Sequence, residues 1–284
     1  MNDGAEKPWG AFVFAFILVV TALGIVGFWA AWFLSGAWRT ATPECYRIFE
    51  NCFPLPDGVL AALLICTPVA LLRRSEWALF TGLPAAGMLL YLAALDAMFG
   101  IQHGYGERST PETAAQITII VYVAALGLGL ACWLWRQTPM LHLSAPAQLE
   151  RPGFARGGAW LLTAFVALFA GYLLVELAGA ARGGCAAAFL GAFALGDGLI
   201  LLAAAAALAG FATRHHSTPV IGLVHVGMVL FRVLIRGVFW LAYQPGELYP
   251  EWLGFTLVWV AYIGFVFALL WRARGWLCQQ DQPA

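Results

Sequence analysis

Charge is scarce in this chain. Only 11% of its 284 residues are Asp, Glu, Lys or Arg, where a soluble domain carries roughly a quarter. So few charges cannot clothe a water-exposed surface, and with 62% hydrophobic residues most of the surface must meet lipid. Lysine is almost missing: Lys7 stands against fourteen arginines. A Schiff base to retinal or pyridoxal needs an amine inside the membrane, so that chemistry is excluded. Net charge is zero, which argues against a nucleic-acid partner. The six cysteines form no CxxC pair, so neither a zinc site nor a thioredoxin-like motif is signalled.

What is abundant is apolar sequence in long runs. Stretches at 10–36, 57–73, 77–100, 114–135, 158–181, 186–212, 218–243 and 252–271 are each near the length a bilayer demands. The fold class is therefore all-α, a polytopic membrane bundle of about eight helices. The first run is too long for a signal-peptide core and reads as a retained helix. With eight spans, one side holds Lys7, Arg73, Arg74, Arg136, Arg151, Arg156, Arg214, Arg272 and Arg274, and the other Arg39, Arg47, Arg108 and Arg182. The excess of basic residues predicts both termini in the cytoplasm. Arginine in place of lysine and plentiful alanine suggest a GC-rich bacterium, and so its inner membrane. Tryptophans near the run ends, such as Trp9, Trp77, Trp160 and Trp271, suit the interfacial belts.

The chain matches itself when its second half is laid over its first. Phe53, Leu55, Asp57 and Gly58 fall over Phe193, Leu195, Asp197 and Gly198, and in the same register Gly82, Leu83, Gly87 and Met88 fall over Gly222, Leu223, Gly227 and Met228. Between 53 and 99 there are eleven identities in 47 positions, where about four are expected by chance. Cys45 and Phe49 match Cys185 and Phe189 upstream. This predicts two tandem four-helix repeats, 1–140 and 157–284, joined by a cytoplasmic linker over 141–156. Two copies of an even number of spans enter the membrane alike, so their axis should lie along the membrane normal, with a cleft between the halves.

Ionisable groups inside a span are costly and mark ion pairs or wet cavities. The seventh run carries His225, Arg232 and Arg236 at spacings that place all three on one helical face. Arg236 takes the position of Asp96 in the first copy, and an Asp96–Arg236 ion pair is expected if the two third helices face each other. Glu176, Asp57 and Asp197 lie toward the same outer end. One reading is a buried network locking the halves; the other is a cavity in which two arginines clamp a carboxylate or phosphate. Asp57 and Asp197 read first as helix N-caps and second as a proton-sharing acid–base pair. His225 lacks a second intramembrane histidine in register, so no haem or other cofactor is signalled. Cys45, Cys52 and Cys185 fall on the outer side, where a disulfide can form between an undetermined pair; Cys66 and Cys132 read as packing residues. The matched glycines at 82, 87, 222 and 227 read as sites of close helix approach.

A long first outer loop (Trp38 to Phe53), a short basic turn (Arg73-Arg74-Ser75-Glu76-Trp77) and an outer Pro111-Glu112-Thr113 leading into the fourth helix give one copy a plan that resembles the EXPERA group of four-helix membrane proteins. The resemblance implies a lipid- or sterol-sized cavity opening within the membrane. It does not carry over the sterol isomerisation known in that group, because helices two and three of the first copy contain no His or Glu and those of the second only His225.

Three functions follow as expectations. The first is binding or transport of a hydrophobic or amphipathic small molecule between the halves, lined by Asp96, His225, Arg232 and Arg236. The second is a lipid-modifying enzyme using the aspartates or His225. The third is an accessory subunit of a larger membrane complex, with other membrane chains as partners.

Overall fold

A computed structural model describes residues 9–35, 44–102, 110–138, 141, 152–180, 184–213, 215–243 and 249–274. The helices are α1 (Trp9–Leu34), α2 (Glu44–Glu50), α3 (Pro54–Leu72), α4 (Trp77–Gln102), α5 (Pro111–Gln137), α6 (Pro152–Ala180), α7 (Gly184–Thr213), α8 (Thr218–Tyr243) and α9 (Tyr249–Ala273). Among the described residues eight of these are long and apolar enough to cross a bilayer, all but the short α2. The chain is an all-α, multi-pass integral membrane protein.

Local sequence accounts for several boundaries. Thr110 caps α5 by accepting from the Thr113 backbone N–H, with Pro111 at the first helical position. α3 ends in a tight turn at Arg73-Arg74, where Ser75 N–H returns to the Ala70 carbonyl, and Arg74 takes the left-handed conformation (φ 51°). The same turn begins α4 at Trp77.

Within the first half, α1 packs on α3, α3 on α4 and α4 on α5; the second half repeats this with α6 on α7, α7 on α8 and α8 on α9. The halves meet chiefly through α4 on α8 and α4 on α7. These central helices are the best enclosed: 83% of the apolar window of α4 and of α8 is buried, against 17% for α1. The crossing of α4 and α8 is reciprocal. A Cβ on Gly87 would collide with the carbonyl oxygen of Val224, and one on Gly227 would collide with that of Pro84. Gly87 and Gly227 stand 140 residues apart, the offset at which the sequence matches itself, and so do Pro84 and Val224. Only glycine lets the two backbones approach so closely. At one end of the bundle Arg274 Nε reaches Glu76 Oε2 at 3.1 Å, tying the close of α9 to the turn before α4.

Two expectations about cysteine change here. Cys52 is a buried free thiol that donates to the Ile48 carbonyl; the side chains of Cys45 and Cys185 lie outside the described residues. Cys66 and Cys132 are exposed rather than packed in the core.

Candidate functional site

The α8 face bearing His225, Arg232 and Arg236 turns into its own half. The helical period of about 100° per residue puts these residues roughly 140–180° around α8 from Gly227, and Gly227 is what faces α4. Leu92 and Asp96 stand at the same angles from Gly87 on α4. The third helices do face each other, but through their glycines, so Asp96 and Arg236 point away from the crossing. No Asp96–Arg236 ion pair forms among the described residues.

Arg232 pairs instead with Asp197 of α7. Its Nε donates to Oδ1 at 2.6 Å and its Nη2 to Oδ2 at 2.9 Å, and both side chains are wholly buried. Tyr91, arriving from α4 in the other half, donates its hydroxyl to the same Oδ1 at 2.8 Å. Four rings surround the guanidinium: Phe169 and Tyr172 of α6, Phe193 of α7 and Trp259 of α9, with centroids 5.0, 5.2, 5.6 and 5.8 Å from Cζ. Asp197 is thus no helix cap. It is the fourteenth residue of α7, which begins a full three turns earlier than a cap there requires.

Asp57, 140 residues before Asp197, is held differently. Asp57 sits in the first turn of α3, yet the N-cap position is Phe53 and no side-chain cap bond forms. Asp57 Oδ2 accepts from Trp29 Nε1 at 2.9 Å. Its other oxygen, Oδ1, is buried without a hydrogen-bond partner, in a residue only 8% exposed. Asp96 and Glu50 lie within electrostatic reach. Among the described residues, none of the ion pairs involves Glu50, Asp57 or Asp96. Glu50 closes α2; burial pushes its carboxyl up to about 7, partly offset by a hydrogen bond from Tyr46.

The remaining expected residues separate. His225 is fully buried, with Nε2 2.9 Å from the Tyr262 hydroxyl and Phe165 edge-on at 5.2 Å. Arg236 lies over Tyr172 and Trp240 at 5.0 and 5.9 Å. Glu176 belongs to α6, and its side chain lies outside the described residues. The Asp197 carboxylate takes the Nε–Nη2 edge of Arg232, the edge a bidentate anion clamp would use. Asp57 and Asp197 are not a proton-sharing pair, since Asp197 gives its oxygens to Arg232 and Tyr91. Among the described residues no cluster of metal-ligating side chains occurs.

Sequence reading missed Tyr91, Trp29 and Glu50, and the rings about Arg232. Trp29 and Trp32 stand 140 residues before Phe169 and Tyr172, the offset at which the sequence matches itself. They correspond in aromatic character and not in identity, so a count of identities passes over them.

Comparison with protein-family models, with curated proteins and with solved structures finds no match for this chain.

Proposed function

We propose that the protein binds a hydrophobic or amphipathic small molecule, or carries it across the membrane, with the polar end held in the first half beside Asp57. One observation carries this reading: Asp57 Oδ1 is buried without a partner, whereas the corresponding Asp197 is saturated by Arg232 and Tyr91. Buried polar atoms are nearly always satisfied, and an orphan in a lipid-facing protein calls for a missing partner. The rings beside it (Trp29, Phe53 and Phe49) suit an apolar ligand body.

The reciprocal glycine contacts support descent from a duplicated four-helix unit, and the halves then diverged in charge. An EXPERA-like origin for that unit, a bacterial inner-membrane location and cytoplasmic termini belong to the same proposal; their support is the loop pattern and the distribution of basic residues.

The test is gentle extraction into lipid nanodiscs, followed by organic extraction and mass spectrometry. A small molecule should be retained by the wild type and lost from Asp57→Asn. If the wild type retains nothing beyond what nanodiscs with an unrelated membrane protein retain, the reading fails.

A further inference from the structure

The second half shows what fills a site of this shape. Around the Arg232 guanidinium stand the Asp197 carboxylate and, from the same half, Phe169, Tyr172 and Phe193, with Trp259 of α9 as a fourth ring. The counterparts of Asp197 and the first three rings in the first copy are, in the same order, Asp57, Trp29, Trp32 and Phe53. The carboxylate is kept and each of these three rings has an aromatic counterpart. Trp29 holds Asp57 directly at 2.9 Å and lies 6.3 Å from Trp32. Phe53 closes the N-terminus of the helix that carries Asp57.

The cation is not kept, nor is the fourth ring, Trp259, whose place in the first copy falls at Ile119 or Ile120. The counterpart of Arg232 is Leu92, and that of Arg236 is Asp96. Both stand at the same angle on α4 that the arginines hold on α8, turned into the first half and not toward the crossing. The first half thus has a carboxylate with a buried, unpartnered oxygen, a set of rings, further acidic groups in Asp96 and Glu50, and leucine where its twin supplies a guanidinium.

We propose that the first half binds an organic cation, a guanidinium or ammonium head on an apolar body, in the station that Arg232 fills in the second half. The inference rests on the amphiphile reading above and gives its ligand a charge and a chemical class. A ring-lined carboxylate favours an organic cation over a metal ion, since rings attract a weakly hydrated cation and no metal-ligating cluster occurs among the described residues. A planar guanidinium also matches both oxygens of a carboxylate, as Arg232 does on Asp197.

The full chain in lipid nanodiscs would be titrated calorimetrically with octylguanidinium, octylammonium, octanol and octanoate, with thermal unfolding of each variant as a fold check. Octylguanidinium should saturate one site, octylammonium should bind more weakly, and octanoate should not bind. Asp57→Asn should weaken octylguanidinium roughly tenfold or more, the loss of a charge-assisted hydrogen bond. Leu92→Arg supplies the tethered cation and should abolish binding while unfolding no earlier than the wild type. If Asp57→Asn fails to fold, Leu92→Arg decides alone. A folded Leu92→Arg protein that binds octylguanidinium like the wild type overturns the proposal. Saturable binding of octanol or octanoate without octylguanidinium also overturns it but leaves the amphiphile reading standing; binding of none of the four defeats both.

Discussion

Tyr91 and Arg232 converge on one oxygen of Asp197, the hydroxyl at 2.8 Å and the guanidinium Nε at 2.6 Å. Tyr91 comes from α4 and the other two residues from α7 and α8, so this bond joins the halves through a buried charge. The residue 140 positions further on, on α8, is Phe231, which has no hydroxyl to return the contact to Asp57. The polar joint between the halves is one-sided although the helix crossing beneath it is reciprocal.

A buried ion pair is held by mutual dependence more than by net gain. Replacing Arg232 by Met leaves Asp197 charged and enclosed, and replacing Asp197 by Leu strands the guanidinium. Either single change should cost roughly 3–5 kcal/mol, while the double replacement Asp197→Leu with Arg232→Met should come out near neutral or better. Thermal or denaturant unfolding in detergent measures all three. A double variant as unstable as the sum of the singles would contradict this account. Tyr91→Phe keeps the ring and removes one donor to a charged acceptor, with an expected cost of about 1.5–3 kcal/mol.

The α4–α8 crossing makes an equally sharp demand. Gly87→Ala and Gly227→Ala each drive a methyl into a backbone carbonyl on the facing helix, and backbone cannot swing aside as a side-chain tip can. Both should lose well over about 1 kcal/mol, in line with overpacked cores, and yield much less monodisperse protein. Gly24→Ala, whose added carbon meets nothing within 4 Å, is the control and should behave as wild type. Size-exclusion profiles and melting temperatures of the three proteins decide it.

The spans were legible because a bilayer imposes one length and one composition on every crossing helix. The charged face of α8 was legible too, from spacing alone. Its direction was not: two facing helices have several faces to offer, and it is Gly87 against Val224 and Gly227 against Pro84 that turn the arginines inward to their own half. Asp197 was misread as a cap by carrying over the reading of Asp57 at the matched position, although the apolar run at 186–212 already places it well inside a helix. The bond from Tyr91 links residues 106 apart in sequence, which no local pattern encodes.

Cys52 provides a check on the end of the bundle near Asp57. Its thiol is buried and given to the Ile48 carbonyl; burial and the nearby Glu50 charge push its pKa up to about 12. Almost no thiolate then exists at neutral pH, so attack on alkylating agents should be slow. In native protein iodoacetamide should leave Cys52 unmodified, and denaturation should release it for full labelling. Peptide mass spectrometry under non-reducing conditions reads both states, and a Cys52 disulfide there would refute the free thiol.

Glu50 gives the stability a pH dependence with a definite sign. Its carboxyl is raised from an ordinary 4.5 to about 7, chiefly by burial, with Tyr46 bonded to it and Asp57, Asp96 and Cys52 within electrostatic reach. Between those two values the folded protein holds a proton that the unfolded chain releases. The contribution is therefore fully present below about pH 4.5, and it is lost as pH rises through about 7. Glu50→Gln cannot ionise, so its melting temperature should be flatter across this window and above that of the wild type at the alkaline end. A wild type whose stability rises with pH there, or a Gln variant that keeps the full slope, would assign the titration to another group.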